Sequence, residues 1–323
     1  MPSLFRRINT LADHIWPATQ ATATRWQLFA MTLAAGLALG WLMRSAPLLG
    51  YDWLTMFYAN TATDVYYPPW TSLLLTPLAN LPWRDGLALI NGISIATVAT
   101  STYHQGKQTN NPWRLGATLL AVFSLQLAIV LWLGHIDGLA LLGILALPWA
   151  APLVLMKATF IGFAVFARKS WFLAAVLFGL VSLLLWPGWP NQLLQTLSLR
   201  NTHPSAAGWE VTGWLPPVIG LVMLLLSKRT DPFQAMAAGS LLYPFALPYH
   251  WLVLLPAMGS LRGLYLLMAW LAATLMIVPV GINRHFWIYY IFPVFIWLIR
   301  YHQQGSTQSW LALITTPYER NAS

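Results

Sequence analysis

Long apolar runs recur from one end of this 323-residue chain to the other, and several reach the roughly 18 to 20 residues needed to cross the hydrocarbon of a bilayer. Backbone polar groups inside hydrocarbon must be satisfied within the segment, so runs of this kind fold as a bundle of membrane helices. The composition agrees. With 58% hydrophobic residues, 8% charged residues and 19 Trp, the chain lacks the charge that a water-facing surface needs. There is no Cys, which excludes disulfides and thiolate metal sites. The net charge of +9 raises the question of nucleic acid, but Lys and Arg are scattered singly or in pairs with no basic stripe, so no nucleic-acid partner is expected. The expected partner is the lipid bilayer. The expected fold is all-α: a polytopic transmembrane helical protein of about 9–11 membrane segments, including short or broken helices.

Residues 2–16 place Leu4, Phe5, Ile8, Leu11, Ile15 and Trp16 at helical spacing, which predicts an interfacial helix lying on the membrane. Residues 1–25 are therefore expected to form a cytoplasmic amphipathic helix and linker, 26–303 the transmembrane domain and 304–323 a polar cytoplasmic tail. The first span, 26–43, contains Gly36 and Gly40, a spacing that lets another helix approach closely. A loop over 44–83 follows, with a short helix at 72–81, and then spans at 86–102 and 115–133. The stretch from Asp137 to Arg168 is interrupted by Pro148, Pro152 and Lys157, so one crossing plus half-length helices is expected there. A span at 171–186, a loop at 187–212, and segments at 214–226, 232–247, 250–258, 261–280 and 285–299 complete the pattern.

Charge counting gives the orientation. With a cytoplasmic N-terminus, inside segments hold Arg6, Arg7, Arg25, Lys107, Arg114, Arg168, Lys169, Lys228, Arg229, Arg262, Arg300 and Arg320, twelve of the seventeen basic residues. Outside segments hold Arg44, Arg84, Arg200 and Arg284, with Lys157 left inside a span. Both termini are thus expected in the cytoplasm.

Of the eight carboxylates, Asp13, Asp231 and Glu319 read as solvated, and Asp85 as a complement to a helix N-terminus. Asp52, Asp64, Asp137 and Glu210 all fall on the non-cytoplasmic side, together with His135, His203, His250 and His285. Their spacings match no metal-ligand pattern, so no metal site is assigned, although a divalent cation stays conceivable.

The stretch YDWLTMFYANTATDVYYPPWTSLLLTPLANLPW, beginning at Tyr51, resembles the first external loop of the GT-C superfamily of membrane glycosyltransferases, above all glycosyltransferase family 87, the polyprenyl-phosphate-mannose type. GHIDGLALLGILAL is similar to that family's G-Q-x-N-x-L turn and helix. LVLMKATFIGFAVFARKSWFLAAV resembles its apolar helix with a mid-span Lys, and YPFALPYHWLVLLPAM its late external segment. Together these cover about half the chain in the family's order. The chain departs from the pattern where GHID replaces G-Q-x-N, where Ala158 follows Lys157 in place of Pro, and in its short length.

The resemblance implies an inverting enzyme of a prokaryotic plasma membrane. It would transfer a sugar, mannose or a similar hexose or pentose, from a polyprenyl-phosphate donor to a lipid or glycan acceptor on the external face, with no required cofactor. By position Asp52 would be the general base, its alternative being a loop-structuring acid. Lys157 would bind the donor phosphate, unless it snorkels to an interface, with His250 and Arg284 as further phosphate contacts. Asp64, Tyr66, Tyr67, Trp70, His135 and Asp137 would form the acceptor and sugar surface, the aromatics having an interfacial belt as their alternative. Two other functions fit the same composition: a catalytically inactive membrane subunit of a larger complex, and a lipid-linked-sugar transporter.

Overall fold

The structure, a computed structural model, describes residues 19–44, 49–58, 67–157, 159–200, 207–208, 213–243, 245–275 and 286–304. These residues are helical apart from turns and a two-residue antiparallel pairing of Ala207–Gly208 with Phe245–Ala246. The expected interfacial helix at 2–16 and most of the polar tail lie outside the described residues.

The helix Trp83–Gln108, here α3, is the axis of the molecule, buried along most of Gly86 to Thr102. Its 26 residues give a rod of ~39 Å. The helix Thr19–Met43 (α1) runs antiparallel along it, and the contact is made by glycine. A Cβ on Gly36 would stand 2.5 Å from the Gly92 carbonyl oxygen, and one on Gly40 would strike that of Ala88. Thr32 Oγ1 lies 2.9 Å from Thr100 Oγ1 in the same seam. The close approach read from the Gly36/Gly40 spacing is therefore made, and its partner is α3.

The two ends of α3 differ in chemistry. At its C-terminal end the turn after Gln108 meets the turn before Gly263: Asn111 Nδ2 donates to the Gly259 and Leu261 carbonyls at 2.7 and 2.6 Å, and Arg262 reaches the Thr109 and Asn110 carbonyls. Lys107, Arg114, Arg262 and Arg300 share this end. At the other end the Trp53 indole N–H donates to the Trp83 carbonyl at 2.8 Å, and Arg44 pairs with Asp85 at 2.9 Å. Asp85 thus combines its place in the first turn of α3 with a half-exposed ion pair.

Pro68 and Pro69 start the short helix Pro69–Ala79 (α2), in line with the helix expected at 72–81. The span expected at 115–133 is two helices, Arg114–Val122 (α4) and Leu125–Leu133 (α5), bent by 40° where Ser124 caps the second by accepting from the Leu127 N–H. Beyond Gly134 come Asp137–Leu145 (α6) and Ala151–Leu155 (α7), then a 3-10 turn over Phe160–Ala167. Asp137 and Lys157 share one ion pair, so the chain between them leaves one end of the molecule and returns to it. At nine residues α6 is ~14 Å long, too short to cross. The broken helices expected in this region are present, but the crossing expected with them is not found among its described residues, where no element exceeds nine residues.

Lys169–Leu185 (α8) turns by 100° into Trp189–Arg200 (α9). The region 187–212, expected to be a loop, thus begins with a helix; its WPN start supplies Pro at an early helical position. Leu215–Leu226 (α10) and Pro232–Leu242 (α11) follow, then a 13-residue 3-10 stretch over Pro248–Ser260, buried along nearly all its length. Gly263–Leu275 (α12), a 3-10 turn at Phe286–Tyr290 and Ile291–Gln304 (α13) complete the described chain.

By length and composition one described helix is able to cross a membrane unaided, over Trp26–Met43, and the number rises to at most three if each of the two bent pairs is one span. Asp231 corrects its reading as a solvated acid. It is buried, caps α11 by accepting from the Phe233 and Gln234 N–H groups, and pairs with Arg300 Nε at 2.7 Å. Arg300 in turn donates to Ser260 at 2.9 Å, so this arginine, counted as a cytoplasmic charge, is spent inside the protein.

Candidate functional site

Two glycines bring the candidate residues together. Gly50 has φ +82° and donates its N–H to the Trp132 carbonyl at 2.7 Å, while Gly134 ends α5 with φ +69°. A Cβ on Gly134 would stand 2.6 Å from Leu87 Cδ1 and 2.7 Å from Trp53 Cβ. Only glycine at both turns lets the segment holding Asp52 lie against the one holding His135 and Asp137.

Asp137 and His135 are fully enclosed. His135 Nδ1 lies 2.6 Å from Asp137 Oδ2, and Lys157 Nζ lies 2.5 Å from Asp137 Oδ1 and 3.2 Å from the same Nδ1. Nδ1 therefore has both the Asp137 carboxylate and the Lys157 ammonium beside it. The other nitrogen, Nε2, has two polar neighbours. The Tyr67 hydroxyl is 3.2 Å from it and Asp52 Oδ2 is 4.0 Å away.

The His135 ring lies edge-on to Phe57 at 5.7 Å and packs against Tyr249 at 5.0 Å and His250 at 6.1 Å. Lys157 Nζ sits 5.5 Å from the centre of the Tyr249 ring. The Leu247 N–H donates to His250 Nδ1 at 3.3 Å, which fixes that imidazole at the start of the 3-10 stretch. Lys157 owes its place to the break after α7: Thr71 Oγ1 donates to the Met156 carbonyl at 2.8 Å, tying the break to α2.

Asp52, His135 and Asp137 lie at this end of the bundle, and their surroundings shift them in different directions. Burial pushes the Asp52 carboxyl up, against the opposing charges of His135 and Lys157. Burial would push Asp137 up as well, but Lys157 and His135 together hold it well below the usual carboxylate range. Burial and Lys157 push His135 below its ordinary value, against Asp137 and Asp52.

Of the residues nominated from the sequence, the structure thus gathers Asp52, Tyr67, His135, Asp137, Lys157 and His250 at one end of the molecule. Trp70 lies nearby, but its ring faces Phe178, Trp186 and Trp189 at 5.0, 6.5 and 5.2 Å. Asp64, Tyr66 and Arg284 lie outside the described residues, as does Glu210. Lys157 is 2% exposed and neutralised by Asp137, so any phosphate must compete with that carboxylate for the ammonium. Among the described residues no group of three or more His, Asp or Glu is arranged to hold a metal ion.

Three contributors escaped the sequence reading: Phe57, Thr71 and Tyr249. Phe57 falls one and a half helical turns after Asp52, and Tyr249 directly precedes His250, so adjacency to the chosen residues was the available signal.

No protein-family profile matches the chain, and neither a curated protein nor a solved structure matches it. The class the structure defines is an all-helical protein with a buried acid, imidazole and lysine cluster at one end of its central helix.

Proposed function

We propose that this chain is a multi-pass, GT-C-like membrane glycosyltransferase. It passes a sugar, mannose or a similar hexose or pentose, from a polyprenyl-phosphate donor to a lipid or glycan hydroxyl on the non-cytoplasmic face. The membrane part of this reading is supported by the two-ended charge pattern: a rod of ~39 Å, about the thickness of a bilayer with its headgroups, separates a basic end from the end bearing Asp52 and Asp137. An intramembrane or interfacial cluster of ionisable groups is costly and by default functional.

The observation that carries the catalytic part is the setting of Asp52. The one acid that the family resemblance nominates as base is 7% exposed, with a carboxyl pushed up by burial. A raised carboxyl is a better proton acceptor in its ionised form, which suits a base removing a proton from a hydroxyl during attack. In the reaction the acceptor O–H bond breaks, its proton goes to Asp52, the new C1–O bond forms, and the sugar–phosphate bond breaks to release polyprenyl phosphate with inversion. His250, and Lys157 in exchange with Asp137, are the phosphate contacts.

The test is Asp52→Asn in purified protein, assayed with radiolabelled polyprenyl-phosphate mannose and extracted membrane lipid. Transfer should vanish while the elution profile in detergent is unchanged; a fully active variant removes Asp52 from the mechanism. The chain of buried ionisable groups from Asp52 to Lys157 also suits a proton-coupled transporter of lipid-linked sugars. A wild-type protein that moves labelled donor across liposomes without transferring its sugar favours that second reading.

A further inference from the structure

The basic end of α3 holds a cluster for which sugar transfer has no use. Asn111 is fully buried there and ties two turns together: its Nδ2 donates to the Gly259 and Leu261 carbonyls, and its Oδ1 accepts from the Trp113 N–H at 3.0 Å. Asn110 beside it takes the left-handed conformation, φ +48°, that Asn tolerates. A Cβ on Gly106 would stand 2.5 Å from Arg114 Cβ, so the root of Arg114 lies against the residue next to Lys107. Arg262 Nη2 stands 3.4 Å from the Thr109 and Asn110 carbonyls of the same turn. Lys107, Arg114 and Arg262 are therefore held around one fixed corner.

No carboxylate among the described residues pairs with any of the three. The described acids are engaged elsewhere: Asp85 with Arg44, Asp137 with Lys157, Asp231 with Arg300, and Asp52 beside His135 at the far end. Cations gathered without a counter-charge repel one another, and a corner tied by Asn111 cannot relax by moving their backbones apart. The surface around it is apolar. Trp113 is 54% exposed. α4 and α12 both begin at this corner and run side by side, since Gln126 in α5 donates through Nε2 to the Ala273 carbonyl near the end of α12. Leu115 and Leu119 on α4, and Leu264 and Met268 on α12, stay exposed.

We propose that this corner binds the phosphate of an anionic phospholipid of the cytoplasmic leaflet, with the acyl chains lying along the exposed side chains of α4 and α12. Arginine meets phosphate oxygens through paired N–H donors, lysine adds a point charge, and Trp113 sits at headgroup level, as interfacial indoles do. A zwitterionic lipid fits poorly, because its ammonium would face three cations with no described carboxylate to receive it. The fixed corner lets the headgroup bind without first ordering the turn. The inference rests on the membrane part of the proposed function and is independent of sugar transfer.

The test is native mass spectrometry of the purified full-length chain released from detergent, with phosphatidylglycerol and phosphatidylcholine of identical acyl chains offered in equal amounts. Phosphatidylglycerol adducts should dominate in the wild type. The preference should fall roughly fivefold for each cation removed in Lys107→Gln and in Arg114→Gln/Arg262→Gln. Arg168→Gln/Lys169→Gln removes two exposed charges at the start of α8, outside the corner, and should keep the preference. An equal loss in the two double variants, or no preference in the wild type, overturns the proposal and leaves the membrane reading standing. A second measurement needs no substitution: phosphatidylglycerol should raise the melting temperature of the wild-type protein in detergent more than phosphatidylcholine does, and equal shifts overturn the proposal. A chain that stays in solution without detergent and binds neither lipid removes this inference and the membrane reading together.

Discussion

Asp231 and Arg300 form an ion pair far from the candidate site, and its burial makes it consequential for stability. Breaking a buried pair leaves an uncompensated charge, whereas replacing both partners removes the problem with the pair. Arg300→Met should therefore lower stability by about 3–5 kcal/mol. Asp231→Asn/Arg300→Met should recover much of it, because Asn still caps α11. Unfolding in detergent checks both, and equal losses in the single and double variants would refute the argument. In the proposed reaction the pH dependence follows from Asp52. Its carboxyl is raised, so protonation on lowering the pH begins earlier than for an ordinary acid, and only the ionised form works as a base. Activity should fall on the acid side with a midpoint above the usual value of about 4; a midpoint at or below that value removes the carboxyl from its assigned role. At this scale the sequence displayed residue types and a charge asymmetry clear enough to nominate Asp52, Lys157, His135 and His250 together. It could not display pairings. That Asp137 claims Lys157, or that Asp231 claims Arg300, depends on turns meeting across 20 and 69 positions.

Among the elements, the short and broken ones build the site. Helix lengths could be read from apolar runs, and α1, α3 and the interrupted region after Asp137 were legible for that reason. The 3-10 stretch over Pro248–Ser260 was not, because its apolar residues suit any buried helix and periodicity cannot assign a helix type to a run buried on every side. Nor could the helix Trp189–Arg200 be seen behind a WPGWPN start that reads as a turn. The glycine turns make the sharpest prediction. Gly134→Ala forces a side chain into φ +69° and against Leu87 and Trp53, so it should sharply reduce transfer. Gly116→Ala, on a helix face with nothing within 4 Å, should leave transfer unchanged. Equal activity in both variants would mean that the contact between the Gly50 and Gly134 turns does not position Asp52. Gly36→Leu should cost about 1–3 kcal/mol by prying α1 from α3.

Across the whole molecule, the absence of Cys gives a clean test of orientation. Lys107→Cys and Arg84→Cys place single exposed thiols at opposite ends of α3. In right-side-out vesicles an impermeant maleimide should label position 84 alone, and in inverted vesicles position 107 alone. Labelling of both from one face would overturn the proposed transmembrane placement of α3. The central helix also sets an order in time. α1 leaves the ribosome well before the α3 surface that its glycines require, and at about 5–20 residues per second the wait between Gly36 and Gly92 lasts several seconds. Asp52 waits longer: His250 is made roughly 200 positions later, about 10–40 seconds at that pace. Until then the nascent chain holds its acids and Lys157 without the full set of neighbours that encloses them, so assembly of the site is the late event of biogenesis and its ionisable residues are the part of the young protein most in need of shelter.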